Sequence, residues 1–193
     1  FAKMPNQAVW YARLDADEFM AKLRDVAPPE RIRKAEGLIA TARTKDSMQA
    51  FRKLTHEVGG QSRIISDPPL IVPVEELFPG QDGETIQAEM AELLAAYRTS
   101  LVSDRKHLFD QYRFVHMARK VVGVGSVGTR AWILLFEGLD GGDPLFLQAK
   151  EAQSSVLEQY AGVSEYTNHG ERVVAGQRLM QAASDIFLGW QRT

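Results

Sequence analysis

The fold is decided by the stretch VVGVGSVGTRAWILLFEGLDGGDPLFLQAK, residues 121–150. Residues 131–137 are rich in β-branched and aromatic side chains and predict a strand. Residues 145–150 predict another strand, and the glycine and aspartate of residues 139–144 are typical of the turn between them. Because the glycine-rich residues 121–125 in front also favour extended backbone, the stretch predicts an antiparallel three-stranded meander.

Upstream of this stretch, residues 8–118 mostly carry apolar side chains at the i, i+3, i+4 spacing of helices. One helix is expected from Pro29 to beyond Leu54, ending at Gly59-Gly60. Another is expected to share one face among Leu101, Leu108, Phe109, Tyr112 and Val115. Two short strands are predicted near residues 62–74, where Pro73 limits the second to a sheet edge.

Downstream, a long helix is predicted from Asn168-His169-Gly170 onward. Its apolar or small stripe consists of Val173, Gly176, Met180, Ala183 and Phe187. The sequence therefore predicts an α+β protein with two regions. Residues 1–118 form a mainly helical region, and residues 119–193 form a glycine-loop meander with a packed long helix.

Composition excludes several classes of protein. The chain has 23 Lys and Arg against 25 Asp and Glu, a net charge of −2, and 45% hydrophobic residues, which rules out a disordered chain. Without cysteine it has no disulfide, thiolate metal site or thiol nucleophile. The near-neutral charge predicts no nucleic-acid or lipid partner, and the four histidines lack metal-binding spacing, so His107 and His116 are expected at the surface. With no membrane span and no signal-peptide pattern, a cytoplasmic protein is expected.

The sharpest local motif is Gly123-x-Gly125-x-x-Gly128. In a dinucleotide-binding unit the third glycine opens a helix, whereas in a kinase-type loop the glycines join two antiparallel strands over the nucleotide phosphates. Residues 129–136 favour a strand, which rejects the dinucleotide interpretation. In the kinase-type interpretation, backbone N–H groups around Gly123, Gly125, Ser126 and Gly128 hold the phosphates of ATP.

The kinase-type interpretation also requires a lysine on the third strand and an acid on a following helix. Lys150 ends the third predicted strand and shares its face with Gln148 and Phe146. Glu171 is the proposed partner of Lys150, with Glu158 as the alternative. Arg130 is a weaker candidate for phosphate contact.

Each of these residues has a structural alternative. The glycines can form a tight hairpin or bulge, Lys150 can be a strand-end lysine in water, and Glu171 with Asn168 has the spacing of a capping box. These alternatives give a second hypothesis, a non-catalytic pseudokinase-like or scaffolding module that binds a protein partner. The enzyme hypothesis expects Lys150 and an acid to converge beneath the loop, and the scaffold hypothesis expects Lys150 in solvent.

Three segments resemble a bacterial family known as domain of unknown function 2252. They are residues 118–130, 145–152 and 168–190, and the resemblance extends more loosely to residues 66–71. Some members look like remote relatives of aminoglycoside phosphotransferases and protein kinases. The resemblance implies a kinase N-lobe-like fold, ATP as cofactor and a phosphotransferase as the parent protein.

The resemblance also implies that part of the active site lies outside this chain. Full-length members carry acidic motifs of the types G-D-x-H-x-x-N-x-G and N-D-F-D-E, which residues 1–193 lack. We therefore expect no catalytic residue in this segment, and Mg²⁺ bound by residues elsewhere. Since the chain begins at Phe1, we interpret it as an internal segment whose partner is the remainder of the parent polypeptide, and expect it to be inactive alone.

Overall fold

The computed structural model describes residues 3–13, 15–43, 47–121, 123, 128–181 and 183–192. Its helices are α1 (Asn6–Tyr11), α2 (Ala16–Val26), α3 (Pro29–Arg43), α4 (Ser47–Leu54), α5 (Val74–Leu77), α6 (Gly83–Thr99), α7 (Ser103–Phe109), α8 (Glu158–Ala161) and α9 (His169–Met180). Its strands are β1 (Thr55–Val58), β2 (Gln61–Ile64), β3 (Ile71–Pro73), β4 (Tyr112–Lys120), β5 (Ala131–Gly138) and β6 (Pro144–Lys150). The predicted α+β class is confirmed.

The central element is a four-stranded antiparallel sheet in the order β3-β4-β5-β6, and β1 and β2 form a separate hairpin. The three long strands β4, β5 and β6 pair in chain order as an antiparallel meander, which confirms the predicted strands 131–137 and 145–150 and the hairpin between them. The short strand β3 lies at the edge, as expected for a strand that ends at Pro73.

Strand alternation gives the sheet two different faces. On the first, which we call the aromatic face, Leu134 and Phe136 pack with Phe109, Phe187 and side chains of α6. On the second, which we call the hairpin face, the buried set is smaller and aliphatic. It consists of Ile64, Ile71, Ala118, Ile133 and Leu135.

The first strand of the meander is not the one predicted from residues 121–125, because it ends at Lys120 and the described residues Val121 and Gly123 lie outside it. Residues 112–120 form β4, so the helix expected to include Tyr112 and Val115 was wrong beyond Phe109, where α7 ends. A β-bulge between Phe114 and His116 interrupts the two-residue alternation, and the apolar spacing then resembles that of a helix. The division predicted between residues 118 and 119 lies within β4, which also pairs with β3 upstream.

The end of the helix predicted from Pro29 also differs. Helix α4 ends at Leu54, and residues 55–58 form β1 instead of continuing the helix to the glycines. Gly59 and Gly60 have φ angles of 58° and 77° and connect β1 to β2. Two successive positive φ values are what a two-residue hairpin turn requires, so the glycines form a hairpin turn and do not end a helix.

The last helix is shorter than predicted. Asn168 caps α9, with its Oδ1 accepting a hydrogen bond from the Glu171 N–H at 3.1 Å, but the helix ends at Met180, which is 87% exposed. Val174 is its buried residue. Phe187 is buried in the aromatic face from a non-helical segment, where the Tyr97 hydroxyl donates a hydrogen bond to the Phe187 carbonyl. Tertiary contacts therefore override the helical spacing of the sequence.

Within the ranges described above, we find no helix with the length and apolar content needed to cross a membrane.

Candidate functional site

The glycine motif connects two antiparallel strands, because β4 ends at Lys120 and β5 begins at Ala131. Gly123 and Gly128 have φ angles of 44° and 88°, a region that glycine enters without steric cost. A strand follows the motif, which agrees with the rejection of a dinucleotide-binding helix. The other two predicted loop residues, Gly125 and Ser126, lie outside the described residues.

Lys150 lies at the same end of the sheet. It is the last residue of β6 and pairs with Ala131, the first residue of β5. Alternation places it on the hairpin face with Gln148 and Phe146, as predicted, and Phe146 packs against the buried cluster of that face. The Lys150 side chain is exposed, and among the described residues it forms no ion pair.

The two candidate acids are not in contact with Lys150. Glu171 lies in the first turn of α9 and Glu158 begins α8; both are partly buried. Neither carboxylate comes within ion-pair distance of Lys150 in the part of the chain that the structure describes. The convergence that the enzyme hypothesis expects is therefore not formed in this structure, and the roles of Glu171 and Glu158 stay predictions.

The first turn of α9 is nevertheless attached to the chain just beyond Lys150. Arg172 Nη2 donates a hydrogen bond to the Gln153 carbonyl at 2.7 Å, three residues past Lys150. His169 Nε2 lies 3.3 Å from the Ser154 hydroxyl. These contacts attach the first turn of α9, which carries Glu171, to the segment that follows β6.

An ion pair between Arg130 and Glu151 closes the base of the loop. Arg130 Nε lies 3.2 Å from Glu151 Oε2, the Arg130 N–H donates to the same oxygen at 3.1 Å, and the Glu151 N–H donates to the Arg130 carbonyl at 2.9 Å. These bonds, with one from Gln153, lower the pKa of Glu151 to about 2. The Arg130 guanidinium, predicted as a phosphate contact, is thus bonded to a carboxylate while its side chain stays 71% exposed.

Sequence reasoning missed this ion pair, although a signal existed. The two residues flank the Ala131–Lys150 pair on its outer side, so the predicted hairpin register places them opposite each other.

A second polar cluster lies on the hairpin face around His116. Only 3% of His116 is exposed, so its predicted surface position was wrong. Its Nδ1 accepts a hydrogen bond from the Ile64 N–H at 3.0 Å, which leaves the proton on Nε2 to donate to Glu75 at 2.8 Å. Arg63 Nη1 also donates to Glu75, at 3.0 Å. These three side chains line an open pocket of about 600 Å³ between β2, β4, α5 and α6.

The charges of this cluster are set by burial and by hydrogen bonds. Burial lowers the pKa of His116, and the hydrogen bond to Glu75 opposes that effect only in part. Burial alone raises the pKa of Glu75, but hydrogen bonds from the backbone and His116, and the charge of Arg63, lower it overall. The cluster therefore holds a neutral His116 imidazole beside the Glu75 carboxylate, whose negative charge is compensated by Arg63.

Metal binding has no support from these groups. Among the residues that the structure describes, no three histidine, aspartate or glutamate side chains come together in a way that would hold an ion.

The comparisons with known proteins give one match. A family model described as "Uncharacterized protein conserved in bacteria (DUF2252)" matches residues 1–193. Comparison with curated proteins and with solved structures finds no match. The match covers the entire chain and confirms the family that the sequence resemblance indicated.

Proposed function

The chain belongs to the bacterial DUF2252 family, described as uncharacterised, and we propose that its glycine-loop lobe binds the phosphates of ATP. The observation that carries this proposal is the position of Lys150. Lys150 ends the third strand of a meander whose first two strands are joined by the glycine motif, so it lies at the loop end of the sheet. A loop between antiparallel strands with a lysine on the third strand is the arrangement that kinase-type loops use.

The chemistry of the proposed site follows from its groups. Glycines at positive φ let backbone N–H groups turn toward an anion, as in other phosphate sites. The Lys150 ammonium supplies a positive charge that needs no displacement of an existing partner. Arg130 can add donors from its exposed edge while Glu151 keeps the base of the loop closed.

Glu171 is proposed to orient Lys150 when the nucleotide is bound. The Arg172–Gln153 hydrogen bond keeps the first turn of α9 beside the segment that follows β6. Glu158 in α8 is the alternative acid.

The parent protein is proposed to be a kinase-like phosphotransferase of the cytoplasm. The groups that deprotonate the acceptor and bind Mg²⁺ would come from the remainder of the parent polypeptide, as the family resemblance implies. This segment would then supply nucleotide binding and no catalytic residue. Its partners are the nucleotide and that remaining polypeptide.

Isothermal titration of ATP–Mg²⁺ into the polypeptide that carries this sequence tests the proposal. Loss of one charged hydrogen bond to phosphate by Lys150→Ala should weaken affinity by about tenfold or more. Lys106→Ala is the matched control, since Lys106 lies in α7, beyond the opposite end of β4. The proposal fails if the wild type gives no binding heat, or if Lys150→Ala and Lys106→Ala have the same affinity.

A non-catalytic interaction module is the second candidate. It is favoured by the exposed Lys150 and by large apolar side chains that are exposed just after β6. These are Val156, Leu157, Tyr160 and Val163. If this candidate is correct, the titration shows no ATP binding, and Lys150→Ala has no measurable effect beyond that of any surface lysine.

A further inference from the structure

A second lysine stands beside the first at the loop end of the sheet. Lys120 ends β4 and pairs with Ile71 of β3. Arg119 pairs with Trp132, so the next position outward places Lys120 opposite Ala131, which in turn pairs with Lys150. One row across the four strands therefore reads Ile71, Lys120, Ala131, Lys150.

The members of this row share the hairpin face. Ile71 belongs to the buried cluster of that face, as do Ala118 and Ile133, which lie two residues further along β4 and β5 toward the middle of the sheet. Because side chains alternate along each strand, Lys120 and Lys150 lie on this face too. Two strand spacings separate their Cα atoms by about 10 Å, and the residue between them is an alanine. Two four-carbon stems span such a gap from both sides.

In the described part of the chain, no acidic side chain pairs with either lysine. The nearest acid in sequence, Glu151, follows Lys150 on the opposite face and is bonded to Arg130. Two like charges facing one site repel each other, and a bound anion relieves that repulsion.

We propose that Lys120 and Lys150 together bind two successive phosphates of one nucleotide, so that the site selects nucleoside di- and triphosphates over monophosphates. This inference rests on the proposed function, which assigns Lys150 alone. A monophosphate places one phosphate beside Lys150 and leaves Lys120 without a partner. A chain of two or three phosphates is long enough to meet both ammonium groups. Lys120 is thus a binding and specificity residue that the glycine motif and the lysine on the third strand do not identify.

Titrations of ATP–Mg²⁺, ADP–Mg²⁺ and AMP into the same polypeptide test the inference. Lys120→Ala should weaken ATP and ADP binding by about tenfold, the cost of one charged hydrogen bond, and should change AMP binding by less than about twofold. The matched control is Arg119→Ala. It removes the same charge from the neighbouring position of β4, but on the aromatic face. Arg119→Ala should leave all three affinities unchanged.

Each of the following results would overturn the inference. One is equal affinity for ATP in Lys120→Ala and Arg119→Ala, and another is an equal loss of AMP and ATP binding in Lys120→Ala. The third is a thermal unfolding midpoint lowered in Lys120→Ala together with no recovery of ATP affinity in Lys120→Arg, since that pattern reports a structural role. If Lys150→Ala weakens ATP binding while Lys120→Ala does not, the inference fails and the proposed function stands. If the wild type binds no nucleotide, both fail.

Discussion

The two faces of the central sheet are built from the same strands but differ in kind. The aromatic face is apolar at its centre, where Phe136 makes edge-to-face contacts with Phe109 and Phe114 at centroid distances of 5.5 and 5.8 Å. The hairpin face has a short aliphatic centre, with the His116 cluster on one side and the two lysines Lys120 and Lys150 on the other. The aromatic face therefore holds most of the buried aromatic packing of the sheet, and the hairpin face carries its charged groups.

The largest expected effect is on the aromatic face. Phe136 is 1% exposed, so Phe136→Ala removes buried surface and leaves a cavity among aromatic neighbours. We expect a loss of about 3–5 kcal/mol in the free energy of unfolding. Urea unfolding followed by tryptophan fluorescence measures it. Phe78→Ala, at a position that is 45% exposed, is the control and should cost much less; equal losses would show that the aromatic face is not the main source of stability.

A smaller effect is expected on the hairpin face. His116→Ala leaves the buried Ile64 N–H without an acceptor, which costs about 1–3 kcal/mol. His107→Ala is the control, because His107 is an exposed residue of α7. Chemical unfolding of both variants checks the difference. A loss in His116→Ala no greater than that in His107→Ala would contradict the hydrogen bond from β2 to β4.

The next effect is a pH dependence. The pKa of His116 lies below its ordinary 6.5 in the folded state, so the unfolded chain takes up the proton first and stability falls as the pH drops below 6.5. Glu75, whose pKa is lowered from 4.5, loses its contribution only in more acidic solution. We expect the free energy of unfolding to fall between about pH 7.5 and pH 5.5, and to fall less in His116→Gln. The same fall in both proteins would rule out His116 as its cause.

The smallest expected effect concerns the ion pair at the base of the loop. The Glu151 carboxyl should titrate near a pKa of about 2. In Arg130→Ala the pKa of Glu151 should return toward 4.5, because the hydrogen bonds and the charge of the Arg130 guanidinium are lost. Carboxyl carbon chemical shifts followed by NMR give both values. An ordinary pKa in the wild type would show that Arg130 is not bonded to Glu151 in solution.

The sequence predicts the middle of the sheet well because its local signals agree. Residues 131–137 and 145–150 combine strand-forming side chains with turn residues between them, and both are strands in the structure. The register of that hairpin also places Arg130 opposite Glu151. Local signals alone therefore predict that Lys150 ends the third strand, as it does in the structure.

The sequence predicts β4 and α9 less well because long-range contacts decide them. The bulge at Val115 gives β4 a helix-like apolar spacing, and only the pairing with β5 reveals a strand. Phe187 continues the helical pattern of α9, yet its burial against Phe109 takes it out of the helix. His116 could not be placed inside from its neighbours, since its partners Ile64 and Glu75 come from other elements. The position of Lys120 beside Ala131 likewise depends on the pairing of β4 with β5, which the sequence does not reveal.

We propose that Lys120 and Lys150, at the loop end of the hairpin face, bind nucleotide phosphates. This is tested most directly by an NMR titration of isotope-labelled protein with ATP–Mg²⁺, which follows backbone amides and lysine side chains together. We predict saturable shifts at Lys120, Ala131, Lys150 and Gly128, with Phe136 and its aromatic neighbours unchanged. Shifts that are absent, or that centre on the His116 cluster or the aromatic face, would contradict it.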